Sequence, residues 1–162
     1  MSGPGAYVVT GGSNGIGYFV SEQLARAGHQ VIIAARNPER AQHAIEAIRA
    51  RVPLAKVSFQ QLDLGSLASV RRAAAELSDA GQLAAVIANA GVVHGHEAPS
   101  TADGYELFFG TNHLGHFALL AQLFPALKPS PGPESSTSAV CPTSVPNQLL
   151  ANQGNSDGSP IT

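Results

Sequence analysis

The sequence is short of cysteine, of charge and of long apolar runs. Cys141 is the one cysteine in 162 residues, which excludes an intrachain disulfide and a cysteine-based zinc site. Nine Lys and Arg stand against eleven Asp and Glu, a net charge of -2. Nucleic-acid binding normally leaves a basic footprint, so no nucleic-acid partner is expected. The longest apolar stretch, Phe117 to Leu127, contains Gln122 and Pro125 and is too short to cross a bilayer, so no membrane span is expected. No basic segment followed by an apolar core opens the chain, and no signal peptide is read there. Together these absences point to a soluble, cytoplasmic protein of about one domain's length.

What is present falls into two parts. Residues 1–128 hold all nine basic and nine of the eleven acidic residues, whereas residues 129–162 hold two acids, Glu134 and Asp157, with six of the eleven prolines and seven serines. Such a segment has too few large apolar side chains to offset the entropy of ordering it. It is expected to be a disordered Pro/Ser-rich tail; a surface extension packed on a partner is the other reading.

Residues 1–128 alternate between two kinds of pattern. The short apolar runs Ala6–Val9, Val31–Ala35, Val57–Leu62 and Leu83–Ala88 read as buried strands. Between them lie helical stripes: Ile16, Phe19, Val20, Leu24 and Ala27; then Ala41, Ala44, Ile45 and Ile48 after Pro38; then Leu67, Val70, Ala74 and Leu77 after the N-cap candidate Ser66. Leu107 to Leu127 reads as one long helix. Strand and helix in strict turn predict an α/β fold: a partial Rossmann arrangement, with a four-stranded parallel sheet and helices on both faces.

The first strand runs into Thr10-Gly11-Gly12-Ser13-Asn14-Gly15-Ile16-Gly17. Glycines at 11, 15 and 17 let the backbone turn tightly and approach a ligand, and the helix that follows aims free N–H groups and its positive end at the same place. That is a pyrophosphate site. A tight strand-to-helix turn without ligand is the bland alternative, and the strand-loop-helix context favours the site.

The spacing is TGxxxGxG, and here the chain resembles the short-chain dehydrogenase/reductase family, most of all its retinol-dehydrogenase-like branch. The resemblance covers residues 5–128. It continues through Arg36-Asn37-Pro38, Asp63-Leu64 after the third strand, Asn89-Ala90-Gly91 after the fourth, and Thr111 to Phe117 on the last helix. It implies hydride transfer between a nicotinamide cofactor and a small-molecule alcohol or carbonyl substrate. Thr10, Gly11, Ser13, Asn14, Gly15, Ile16, Gly17, Asp63, Leu64, Asn89, Ala90 and Gly91 would then serve the cofactor, and Asn112 would be the asparagine of the catalytic tetrad. Asp63 also suits a helix N-cap. Asn89 also suits a backbone pin, and Asn112 an ordinary buried amide.

NAD-binding folds of this class usually end the second strand near an acidic residue bonded to the ribose 2′-OH. Here that strand ends Ala34-Ala35-Arg36-Asn37. Arg36 can make charge-assisted hydrogen bonds to a 2′-phosphate, so NADP(H) is favoured over NAD(H); a solvated loop charge is the other reading of Arg36. Six histidines are present, with His94 and His96 two apart and His113 and His116 three apart. The second spacing places a pair on one helical face, but no carboxylate completes a familiar zinc pattern, so no metal site is expected. Tyr105, Phe108 and Phe109 read as packing residues.

The family's reaction also uses a tyrosine with a lysine four residues on, and a serine from a fifth strand. The tyrosines here are Tyr7, Tyr18 and Tyr105 and the lysines Lys56 and Lys128; none forms Y-x-x-x-K. Ser144 sits between Pro142 and Pro146 and has no strand pattern before it. Codons permitted for Pro133 to Val140 can be read two bases later as Gly-Val-Val-His-Val-Ser-Ser. A truncated or frame-shifted chain is therefore expected, without turnover of its own. A dinucleotide-binding module without catalysis, or an unstable product, are the alternatives. The fourth strand would keep an unpaired edge open to self-association.

Overall fold

A computed structural model describes residues 5–92 and 100–127. The tail expected over 129–162, together with His94 and His96, lies outside the described residues. The elements are β1 (Ala6–Thr10), α1 (Gly15–Arg26), β2 (Val31–Ala35), α2 (Pro38–Arg51), β3 (Val57–Gln61), α3 (Leu67–Asp79), β4 (Leu83–Ile87) and α4 (His116–Leu123). A π-helical stretch, Phe109–Gly115, runs directly into α4, and a 3-10 turn, Phe124–Ala126, follows it. The four strands form one parallel sheet in the order β3-β2-β1-β4.

Alternation along the strands builds two cores. Val9, Val31, Ile33 and Ala35 face one way and pack with Ala25 of α1 and with Ala41, Ala44, Ile45 and Ile48 of α2. Val8, Ile32, Ala34 and Val86 face the other way, onto Val70, Ala73, Ala74 and Leu77 of α3 and Leu119 and Leu123 of α4. A sheet buried on both faces needs near-continuous apolar strands, and the run Val31–Ala35, buried at every position, supplies one. The expected α/β architecture with helices on both faces is what the chain forms.

Two expectations are corrected. The stripe assigned to α1 is only partly its buried face: Val20 and Leu24 are half-buried against the core, but Ile16 and Phe19 are 76% and 61% exposed, and Gly17, Ser21, Glu22 and Ala25 are the buried residues. Gly17 and Ser21 lie where α1 comes closest to the end of β1 and its loop, leaving no room there for large side chains. The long helix read over Leu107 to Leu127 is also not uniform. It widens into the π-helical stretch and ends in the 3-10 turn, where Pro125 has no N–H to continue the ladder. Beyond the turn, Leu127 pairs parallel with Leu83. The chain is thus back on the outer edge of β4 where the described residues end.

Glu22 fastens α1 to α2. Its side chain is 6% exposed and takes Arg26 at 2.7 Å and Arg51 at 2.8 Å. Hydrogen bonds from Arg26 and then Arg51 hold its carboxyl below the usual carboxylate range.

The sheet interior allows a direct test. Ile33 is fully buried in the central strand β2, and truncating such a residue leaves a cavity. Ile33→Ala is expected to cost about 2–5 kcal/mol, read as a lower urea midpoint with an unchanged slope.

Candidate functional site

The site begins with a close approach. Gly17, in the first turn of α1, is buried, and a side-chain carbon there would strike the Gly11 carbonyl and the Asn89 side-chain amide. The lack of that carbon lets the helix N-terminus press against the ends of β1 and β4. Gly11 and Gly15 have φ of +66° and +51°, a conformation that disfavours residues with side chains. Asn14 caps α1, its Oδ1 accepting from the Gly15 N–H at 2.8 Å.

Thr10 then binds the two strand ends together. Its buried Oγ1 accepts from the backbone N–H groups of Asn89 at 2.9 Å and Ala90 at 3.0 Å. The Asn89 side chain donates back to the Thr10 carbonyl at 3.1 Å. Asn89 is therefore a backbone pin, and it also lines the cleft described next.

A cleft of about 580 Å³ opens at the carboxyl ends of the strands. It lies where β1 is flanked by β2 on one side and β4 on the other, the switch point at which open α/β sheets bind ligands. Gly11, Ser13, Asn14, Gly15 and Ile16 line it from the glycine loop; Arg36 and Asn37 follow β2; Asp63 and Leu64 follow β3; Asn89, Ala90 and Gly91 follow β4. Four stretches far apart in sequence thus meet around one cavity. Thr10 and Gly17 stand behind the wall and shape it, and neither lines it.

Several side chains are already engaged. Asn37 caps α2, accepting from the Arg40 N–H at 2.8 Å. Ser66 caps α3, which corrects the N-cap reading of Asp63; the Asp63 carboxylate closes its own turn by accepting from the Gly65 N–H at 2.9 Å. Arg36 is exposed, and its backbone carbonyl accepts from the Gln61 side chain. Among the described residues neither Arg36 nor Arg40 makes an ion pair.

Asn112 is not among the cleft-lining residues. Its side chain spans the backbone of Val92, accepting from the N–H at 2.8 Å and donating to the carbonyl at 3.1 Å. Sequence reasoning missed six lining residues: Ala34, Ala35 and Leu62 at the strand ends, and Arg40, Val92 and Thr111. Arg40 lies four residues after Arg36, in the first turn of α2, and was legible from that nearness. Thr111 carried no signal except its place beside Asn112, yet its buried Oγ1 has no hydrogen-bond partner among the described residues. A hydroxyl left without a partner costs stability unless something else engages it.

The histidine pair separates. His113 is exposed and stacks on Phe109 at 5.3 Å. His116 is buried, with Nε2 2.9 Å from Thr10 Oγ1 and Nδ1 2.9 Å from the Asn112 carbonyl. Burial lowers its pKa. Tyr105 and Phe109 are 43% and 54% exposed, so the packing expected of them is at most partial.

These observations fit a nicotinamide dinucleotide. The closeness that Gly17 allows brings a helix N-terminus to the cleft, Arg36 and Arg40 offer guanidinium groups without an ion pair among the described residues, and Thr111, whose hydroxyl has no partner among them, is part of the wall.

The family model for short chain dehydrogenase matches residues 6–145. Human retinol dehydrogenase 13 is 40% identical over 126 residues, 76% of this chain and 37% of that protein. The structure of the Pseudomonas aeruginosa RhlG/NADP active-site complex is 31% identical with a TM-score of 0.64, covering 75% of this chain and 47% of that one. A short chain dehydrogenase/reductase from Burkholderia phymatum in complex with NAD is 25% identical with a TM-score of 0.63, covering 76% and 44%. The chain spans about two fifths of the length of the curated relatives it matches.

Two outcomes follow from the geometry. Gly17→Val forces the helix off the β1 and β4 loops and is expected to cost at least about 1–3 kcal/mol, read by thermal melting. Unfolded, His116 titrates near about 6.5; folded, it titrates lower. The unfolded chain therefore takes the proton first. The contribution of neutral His116 is complete above about pH 6.5 and is lost as pH falls through the folded value. The urea midpoint should fall between pH 7 and pH 5, and less so in His116→Gln.

Proposed function

The chain belongs to the short-chain dehydrogenase/reductase family of oxidoreductases, and on that premise we propose that residues 1–128 form the NADP(H)-binding half of a reductase or dehydrogenase acting on an alcohol/carbonyl pair. The observation that carries this is the cleft at the strand ends, with its glycine loop on one side and, on another, two arginines that make no ion pair among the described residues.

Each group has a part. The N-terminus of α1 with Ser13, Gly15 and Ile16 receives the pyrophosphate. Arg36 and Arg40 take the ribose 2′-phosphate, as a fork of guanidinium donors suits a phosphate better than a hydroxyl. Asp63 and Leu64 flank the adenine, with Ala90 and Gly91 opposite. Asn112 holds the backbone that follows β4, through Val92. When bound, the cofactor supplies the hydride.

A binding role without turnover has its own support: the 162 residues contain no Y-x-x-x-K, so this chain by itself lacks the acid/base pair that the reaction needs. The outer edge of β4, met among the described residues by Leu127 alone, is the surface we assign to any self-association. A cytoplasmic setting remains part of the proposal.

Titration of the full chain with NADPH and with NADH, followed by cofactor fluorescence, tests the reading. NADPH should bind at least about tenfold tighter, a difference of about 1.4 kcal/mol. Arg36→Ala should remove most of that difference and leave NADH binding nearly unchanged. Equal affinity for the two cofactors in the parent chain would sink the NADP assignment, and binding of neither would sink the dinucleotide reading.

A further inference from the structure

His116 is a buried titratable group without a part in the function proposed above. The imidazole lies where three pieces of chain meet: the end of β1, the residues after β4, and the π-helical stretch with Asn112. Its bonds fix its chemical form. A carbonyl oxygen can only accept, so Nδ1, 2.9 Å from the Asn112 carbonyl, carries the proton.

The other nitrogen is settled by counting at Thr10. A hydroxyl has one hydrogen and two lone pairs. Both lone pairs of Thr10 Oγ1 are engaged, by the N–H groups of Asn89 and Ala90. Its hydrogen has two acceptors in reach, His116 Nε2 at 2.9 Å and the Ile87 carbonyl at 3.3 Å. The nearer one is Nε2, which therefore accepts and carries no proton. A single directed chain results: the amides of Asn89 and Ala90 donate to Thr10, Thr10 to His116, and His116 to the Asn112 carbonyl.

His116 follows directly on the π-helical stretch. Its N–H goes to the His113 carbonyl, and the Asn112 carbonyl meets its imidazole. Such widened turns recur at functional sites.

We propose that His116 is a positioning residue, held as one neutral tautomer, that couples the Asn112 turn to Thr10 and so to the floor of the cleft. Through it the Val92 backbone held by Asn112 and the Ala90 amide held by Thr10 are kept in register with each other. Without the Nε2 acceptor, the hydroxyl hydrogen turns to the Ile87 carbonyl and takes the lone pairs off the two amides. The link to ligand binding rests on the dinucleotide reading above; the coupling itself does not.

The experiment uses the full chain labelled with 15N. Imidazole 1H–15N correlations at pH 7 should show Nδ1 protonated and Nε2 bare. Amide exchange should then be compared in His116→Phe, which supplies neither bond, and in His116→Gln, whose side-chain oxygen can replace Nε2. In the Phe variant the Ala90 and Val92 amides should both exchange at least about tenfold faster while Val8 in β1 stays unchanged. In the Gln variant Ala90 should recover to within about threefold of the parent. NADPH affinity should fall about tenfold in the Phe variant.

A protonated Nε2 overturns the proposal. So does unchanged exchange at both amides, or a uniform rise that includes Val8, which is what mere packing gives. If the Phe variant does not fold, the tautomer and the Gln variant decide: Ala90 exchanging as fast there as in the unfolded chain would count against the coupling. If the parent chain binds no dinucleotide, the functional reading falls, and the tautomer and exchange results still decide the coupling.

Discussion

The whole arrangement depends on one missing carbon atom, the Cβ that Gly17 does not have. Its absence lets α1 lie against the Gly11 carbonyl and the Asn89 amide. That approach fixes where the helix N-terminus points, and it presses the loop after β1 against the loop after β4. The small buried face of α1, Ser21 and Ala25, continues the same close contact along the helix. The large side chains Ile16 and Phe19 are left outside, with Ile16 in the cleft wall.

On that contact rests a polar knot. Thr10 is fully buried yet fully satisfied, since its hydroxyl and carbonyl are both used by the residues after β4. Burying such groups is tolerable only when each has a partner. The knot also determines the shape of the cleft, because Asn89 and Ala90 line it while their backbones are held from behind. Asn112 repeats the device one step further along, holding Val92 by both atoms of its amide group. Rigid walls built in this way reduce the ordering that a ligand must otherwise impose.

Much of this was legible in the sequence. The strands were, because apolar runs bounded by turn residues have few other readings; Val31–Ala35 is the clearest case. The α2 and α3 stripes were legible too, since both helices bury large residues at helical spacing. The α1 stripe was misread at Ile16 and Phe19, though not at Val20 and Leu24: periodicity counts apolar residues, and where a helix packs closely it buries small ones. The members of the cleft could be named because the loops that follow parallel strands converge at one end of the sheet. What each side chain touches could not be read. Asn37 and Asp63 spend hydrogen bonds on their own turns, the Thr111 hydroxyl has no partner among the described residues, and His116 is turned inward while His113, three residues earlier, faces solvent. A π-helical stretch has no marked signature in residue type, and its presence reorients every side chain that a regular helix would have placed.

The order of the strands has a consequence for how the cleft comes into being. β1 pairs with β2, and β2 with β3, across short crossovers, as in Tyr7 with Val31 and Val31 with Val57. β4 must find β1 from much further along the chain, as in Tyr7 with Ala85. Closing the longer loop costs more entropy before its contacts repay it. A nascent chain emerging from the ribosome can thus settle β1, β2 and β3 while β4 is still to come. The glycine loop and Arg36 are then present, but the wall made by Asn89, Ala90 and Gly91 is not. Thr10 waits through that interval with its hydroxyl unclaimed, and the pocket becomes whole only when β4 and the residues after it arrive.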